Sequence, residues 1–423
     1  MERPLAFDLT RLVTRLRHAS PSGIDRVDLA YARRVLGTAG ARFGVVSTAF
    51  GPRVLDRARA LAFVEAVAAG WVEDGAAEAD PVYRRLAARL GSGIASAAPA
   101  APARSAGSRR AIQARASATI LRGASIAALP QGSLYLHSSH LRLDKPGRFD
   151  WLYDRRDVRA AFFVHDLIPI THPEYGRPGE AERHAERMRT VGRHAAAILA
   201  NSADTAARTG AYLAQEGYWP PPMAVGHLGV EPAFGREGPR LSCARPTFVV
   251  CGTIEPRKNH LLLLHLWRTL AERMGPATPR LVLVGRRGWE AENIVDMLER
   301  CEAIRAHVVE VSGLSTHGLA ALMRGATALL MPSFTEGYGI PIVEAAASGL
   351  PVVASDIPVH REIGAGFCDL IDPLDGTGWM RAVEEIAAPD SSRRADLARR
   401  LDGYTPPDWT GHFAAVAPLL ESL

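Results

Sequence analysis

The 423 residues are 47% apolar and 22% charged, the balance of a soluble protein of two or three domains. No 18-residue apolar run occurs, and the opening MERPLAFDLTRLVTRLRHAS has no apolar core. The sequence therefore reads as neither membrane-spanning nor secreted. Cys243, Cys251, Cys301 and Cys368 form no CxxC pair, which argues against a disulfide scaffold or structural zinc and suits a reducing compartment.

The net charge of +5 is uneven. Residues 1–230 hold 31 basic and 21 acidic side chains, a net of +10; residues 231–423 hold 19 and 24, a net of −5. Nine arginines and no acid lie between Asp80 and Asp144. Lys145 and Lys258 are the only lysines. A basic half beside an acidic half suggests two domains with different partners.

In chain order, an apolar strand at Leu5–Leu9 leads through Ser20-Pro21-Ser22-Gly23 into a helix pattern over Ile24–Leu36. Ile24, Val27, Ala30, Tyr31 and Val35 share its apolar face. A strand follows at Phe43–Thr48, then Ala- and Arg-rich helices over 55–90. Residues 91–118 are rich in Ala, Pro, Ser and Arg and read as a flexible excursion. Strands at Ser133–Leu136, Ala160–Val164 and Ala197–Ala200 then alternate with helices. A Gly/Pro-rich break near 231–245 marks a linker, and the alternation restarts at Thr247–Cys251. Further strands fall at Arg280–Val284, Val308–Val311, Ala328–Pro332 and Pro351–Ser355, with helices between them. The pattern predicts an α/β protein of two Rossmann-like parallel-sheet domains, 1–235 and 236–403, facing across a cleft. A helix over 404–423 is expected to cross back to the first domain.

Ligands of open parallel sheets sit at the carboxyl ends of the strands, so the loops there carry the chemistry. The run Ser333-Phe334-Thr335-Glu336-Gly337-Tyr338-Gly339-Ile340-Pro341 leaves a strand, turns on two glycines and opens a helix. Such a helix N-terminus presents free N–H groups to an anion such as a diphosphate. Glu336 and Glu344 flank that site, where carboxylates need hydroxyl-rich partners. A sugar on one side of the diphosphate and a ribose on the other would supply them. Gly252-Thr253-Ile254-Glu255-Pro256-Arg257-Lys258 follows another strand and brings adjacent cations suited to a diphosphate. In the first half, Gly23 at a helix start can approach a phosphate. His165-Asp166 at a strand end can reach a cleft.

The segment from Glu336 to Glu344, with its tail EAAASGLPVVASDIPVHREI, resembles the E-x7-E signature of retaining glycosyltransferases of family 4, which have the GT-B fold. CGTIEPRKN is similar to the GTxEPRKN form of that family, and VHDLIPITHPEY to its HDLxPLxHPEY segment. Ser22-Gly23-Ile24-Asp25-Arg26 is similar to its donor-facing glycine loop, though the second glycine is absent. Many members carry an arginine where this chain has Thr253; Arg257 is the candidate substitute.

The resemblance implies a nucleotide-sugar donor in the second domain and a glycan or lipid-linked acceptor in the first. Glu336, His165 and Lys258 would be catalytic. Arg257, Lys258, Glu344, Gly337, Tyr338, Gly339, Ile340, Gly23 and Thr253 would bind the donor. A GDP-activated sugar, mannose above others, is the first expectation, and a UDP-sugar the second. No Asp-x-Asp metal motif ends a strand, so neither metal nor cofactor is expected; Lys258, Arg257 and the helix at Pro341 would carry the diphosphate charge. The arginine-rich stretch suggests contact with an anionic membrane surface from the cytoplasm. Its near-lack of aromatics argues against nucleic acid.

Overall fold

The computed structural model describes residues 3–15, 21–71, 76–91, 120 and 122–423. The excursion expected over 91–118 lies, except for its first residue, outside them.

The first sheet has eight strands in the order β4-β3-β2-β1-β5-β6-β7-β8. They are β1 (Leu5–Asp8), β2 (Arg42–Thr48), β3 (Gly51–Asp56), β4 (Ala124–Ser125), β5 (Leu134–His137), β6 (Arg159–Val164), β7 (Ala195–Ala200) and β8 (Met223–Val225). Leu5 of β1 pairs in parallel with Arg42 of β2 and Leu134 of β5. The edge departs from the all-parallel expectation, because β3 returns antiparallel to β2 and carries β4. Gly51 closes that hairpin at φ 91°. A side chain rarely adopts this φ, so the turn depends on the glycine. The Ala/Arg composition of 55–90 hid this strand; the helix there runs Arg57–Gly70.

The second sheet, in the order β11-β10-β9-β12-β13-β14, is parallel throughout. Its strands are β9 (Thr247–Cys251), β10 (Arg280–Val284), β11 (Val308–Val311), β12 (Ala328–Met331), β13 (Val352–Ser355) and β14 (Asp369–Ile371). Apolar side chains on both faces of β9 and β12 are fully buried, as double-sided helix packing requires. The chain order reverses direction at β9, between β10 and β12. A crevice opens at such a point, and the two motif loops leave these neighbouring strands β9 and β12.

Two segments cross between domains. The helix Pro81–Leu90 buries Tyr83, Leu86 and Leu90 in one cluster with Leu241, Val309 and Ala321 of the second domain. Asp80, which caps it, also accepts the Ser315 N–H at 2.7 Å. The helix Trp409–Ser422 packs on the first domain, where His412 Nε2 lies 2.7 Å from the Tyr31 hydroxyl. Among the described residues no helix is long and apolar enough to cross a membrane.

Candidate active site

The loops after β9 and β12 are tied together where the Phe334 N–H donates to the Arg257 carbonyl at 2.8 Å. That tie brings Arg257, Lys258 and Glu336 into one cluster. Lys258 Nζ donates to Glu336 Oε1 at 2.5 Å and Arg257 Nη1 to Oε2 at 2.7 Å. The Lys258 and Glu336 side chains are buried. Gly252 makes room for this: a Cβ there would lie 3.3 Å from Lys258 Nζ, and its φ is 143°. Burial alone would raise the Glu336 carboxyl, but Arg257 and Lys258 beside it hold it well below the usual carboxylate range.

Downstream, Gly339 adopts φ 101° and ends the loop at the helix Ile340–Ala347, with Pro341 in its first turn. Gly337 presses against the first domain, where its carbonyl receives the Ser202 and Thr205 hydroxyls at 3.0 and 3.2 Å. Gly23 meets the same helix: a Cβ there would sit 3.3 Å from Ile340 Cδ1. Glu344 is buried one turn into the helix. Burial raises its carboxyl to about 7, against the pull of Arg26.

His165 is buried at the end of β6 and places a ring nitrogen, Nε2, 2.7 Å from the Ser138 carbonyl, to which it donates. Burial lowers its pKa to about 4, so the ring is neutral at physiological pH. Its remaining nitrogen, Nδ1, can accept a hydroxyl proton but cannot donate. The Tyr338 ring lies in the first-domain apolar cluster with Phe7 and Tyr31. Thr253 packs against Gly288, where a Cβ would lie 2.6 Å from Thr253 Cγ2.

Other residues reach the cleft, most of them inside the motif segments, though the motifs assign them no role. Glu255 accepts Arg257 Nε at 2.7 Å. His360 donates from Nδ1 to the Ser355 carbonyl at 3.0 Å, and its buried Nε2 has no partner among the described residues. The Trp289 indole donates to the Tyr175 carbonyl at 2.9 Å across the domains. The Tyr175 ring stacks on Phe334 at 5.7 Å. Among the described residues no group of three or more His, Cys, Asp or Glu could hold a metal ion.

Residues 245–388 match the family model described as Glycosyl transferases group 1. That span contains β9 through β14, the Arg257–Lys258–Glu336 cluster and Glu344. The chain is 30% identical over 248 residues to the serotype-specific mannosyltransferase WbdA of Escherichia coli, covering 54% of this chain and 30% of that relative. It is 33% identical over 151 residues to O-antigen chain mannosyltransferase B of Escherichia coli, covering 36% of this chain and 39% of the relative. The chain thus spans less than two fifths of the length of these curated relatives. Among solved structures, Anabaena HepE in complex with UDP and glucose aligns over 100% of both chains with a TM-score of 0.63 at 15% identity. Sucrose-phosphate synthase from Thermosynechococcus elongatus aligns over 100% of this chain and 99% of its own, with a TM-score of 0.61 at 16% identity. The fold is GT-B.

Proposed function

We propose that the protein is a retaining glycosyltransferase of family 4 acting in cell-surface polysaccharide synthesis. It moves a sugar from a nucleotide-sugar, GDP-mannose first and a UDP-sugar second, to a glycan or lipid-linked acceptor. The observation that carries this reading is the Arg257–Glu336–Lys258 cluster at the carboxyl ends of β9 and β12. Two cations and a fixed carboxylate, beside a helix N-terminus, match a leaving diphosphate joined to a hydroxyl-bearing sugar. The names of the E. coli relatives support mannose as the sugar.

In this reading the diphosphate takes Arg257, Lys258 and the N-terminus of the helix Ile340–Ala347. Glu336 turns to the donor-sugar hydroxyls, and Glu344 receives the ribose. His165 accepts a sugar hydroxyl at Nδ1. The acceptor attacks from the leaving-group side, and the departing phosphate oxygen takes its proton. The cations need no metal beside them. The enzyme works in the cytoplasm at an anionic membrane surface. Of the nine arginines first considered for that contact, Arg84, Arg85 and Arg89 lie on the helix Pro81–Leu90. Arg104, Arg109, Arg110 and Arg115 lie outside the described residues.

A thermal-shift screen against GDP-, UDP- and ADP-sugars tests the donor; a ligand at 100 times its Kd adds about 2.7 kcal/mol. NMR of the product's anomeric proton tests retention. No shift with any nucleotide-sugar, or an inverted product, overturns the corresponding part.

A further inference from the structure

Beside the anion cluster, a cavity of about 480 Å³ lies between the domains. Asp166, His184 and Arg187 wall it from the first domain, and Glu255, Arg257 and Trp289 from the second. Lys258 and Glu336 do not line it. Arg257 is the shared wall, because its guanidinium holds Glu255 through Nε and Glu336 through Nη1.

Glu255 is the anomaly in this cavity. Its side chain is 2% exposed, and Oε1 is held by Arg257. Oε2 is buried, and among the described residues no hydrogen-bond donor reaches it. Buried carboxylate oxygens are rarely left so, since the lost hydration is not replaced. Burial accordingly pushes the Glu255 carboxyl up, against Arg257 and Lys258. The guanidiniums of Arg187, Arg257 and Arg286 also line the cavity, which disfavours a cationic ligand. The missing partner is therefore a neutral donor. Asp166 faces the same space from the other domain, with Oδ1 taken by the Ile168 N–H at 3.1 Å. Glu255 and Asp166, in a cavity that Tyr175 and Trp289 also line, suit a polyhydroxylated molecule.

We propose that Glu255 binds the acceptor sugar, with Oε2 receiving one of its hydroxyls and Asp166 facing it from the opposite domain. The proposal rests on the glycosyltransferase reading and adds to it the residue that selects the acceptor.

The test uses the full chain and its Glu255→Gln variant. Gln keeps an oxygen for Arg257 but puts an N–H₂ where the free acceptor was. The probes are methyl α-mannoside and its monodeoxy analogues. Donor Kd is measured by calorimetry, acceptor KM and kcat by nucleotide release, and probe binding by saturation-transfer NMR. The expected result is an unchanged donor Kd and an acceptor KM raised about tenfold. One deoxy analogue should lose affinity in the wild type and no further affinity in the variant. An unchanged KM, an equal loss of donor affinity, or deoxy penalties identical in both proteins overturns the assignment. The NMR arm is independent of turnover. A mannoside signal that weakens in the variant supports the site even where no nucleotide-sugar is consumed, an outcome that removes the enzyme reading alone. No signal in the wild type removes the site.

Discussion

Arg26 of the first domain and Glu344 of the second meet across the cleft, Nη1 to Oε1 at 2.9 Å. Nη2 also donates to Thr316 Oγ1 at 3.0 Å. The carboxylate proposed to hold the ribose thus already has a partner from the opposite domain. A ribose whose two hydroxyls use both oxygens of Glu344 displaces that guanidinium from Oε1, so donor binding and domain geometry are linked through one ion pair.

Arg26→Gln should therefore have two effects. It leaves a buried carboxylate without its charge partner; the pair is partly exposed at Arg26, so the expected loss is about 1–3 kcal/mol in urea unfolding. It also removes the competitor for the ribose, so the nucleotide should bind tighter by calorimetry. Weaker nucleotide binding in the variant would mean that Arg26 contacts the ligand and is not displaced by it.

Asp28 and Glu344 should each make stability fall as pH rises from about 4 to about 7, while histidines lowered by burial, among them His165, His260 and His360, act oppositely in the same window. Burial raises both Asp28 and Glu344 to about 7, against Arg11 and Arg26 respectively. At these two acids the folded state then holds more protons than the unfolded chain in that window, and the stabilisation is lost as pH rises through the folded value. Glu336 acts oppositely, because its carboxyl is depressed; its contribution is lost only below the ordinary carboxylate range. Urea titrations of the wild type and of Glu344→Gln isolate the acid: the difference in stability between the two proteins should shift in the variant's favour as pH rises through about 7. A difference between the two proteins that does not change with pH counts against a buried, proton-holding acid at Glu344.

Glu336→Ala and Lys258→Ala should each lower kcat by about 10²–10³, the usual effect of removing a group that stabilises transition-state charge. From sequence alone both seem tolerable, since both lie on loops. The fold changes that expectation. Each is buried against the other, so removing one strands a charge and should cost about 3–5 kcal/mol. Glu336→Gln keeps the volume and separates the two effects: a folded Gln variant with near-normal turnover would remove Glu336 from the chemistry.

Activity should persist in excess EDTA if Arg257, Lys258 and the helix at Ile340 neutralise the diphosphate. Loss of transfer that Mn²⁺ or Mg²⁺ restores would show that the cations are insufficient.

Much of this was legible because the motif loops carry their own punctuation. Strand β9 and the Gly252 turn, or β12 and the Gly337–Gly339 turn, announce themselves in apolar runs followed by glycine. Periodicity placed β9, β10 and β11 residue for residue. It failed at β3, where Ala- and Arg-rich neighbours masked a hairpin, and it did not show that the helical stretch between β10 and β11 is two helices, Glu292–Arg300 and Glu302–Arg305, broken at Cys301. It could not reveal long-range partners. Arg26 is 318 residues from Glu344; the loop it belongs to was marked by its motif, but its partner was not. Glu255 lies in the GTxEPRKN-like segment, but its free oxygen is a property of the fold and not of the motif around it.

Gly337 offers the sharpest test of how the donor loop is seated. A Cβ there would lie 2.4 Å from the His165 carbonyl oxygen and 2.9 Å from Asp166 Cβ. The first of these is backbone, fixed by Asn201 Nδ2 at 3.0 Å, so it cannot swing aside as a flexible side chain would. Gly337→Ala should push the loop off the first domain and loosen the hydroxyl contacts from Ser202 and Thr205. The expected loss is about 1–3 kcal/mol, as for other overpacked sites. Turnover should fall with it, because Glu336 is the preceding residue. Gly366 is the control: a Cβ there meets nothing within 4 Å. Gly366→Ala should change stability by less than about 0.5 kcal/mol. Matched urea curves for the two variants decide the point. Equal stabilities, with full activity in Gly337→Ala, would mean that the loop does not rest on His165 in solution and that the cleft is open before the donor arrives.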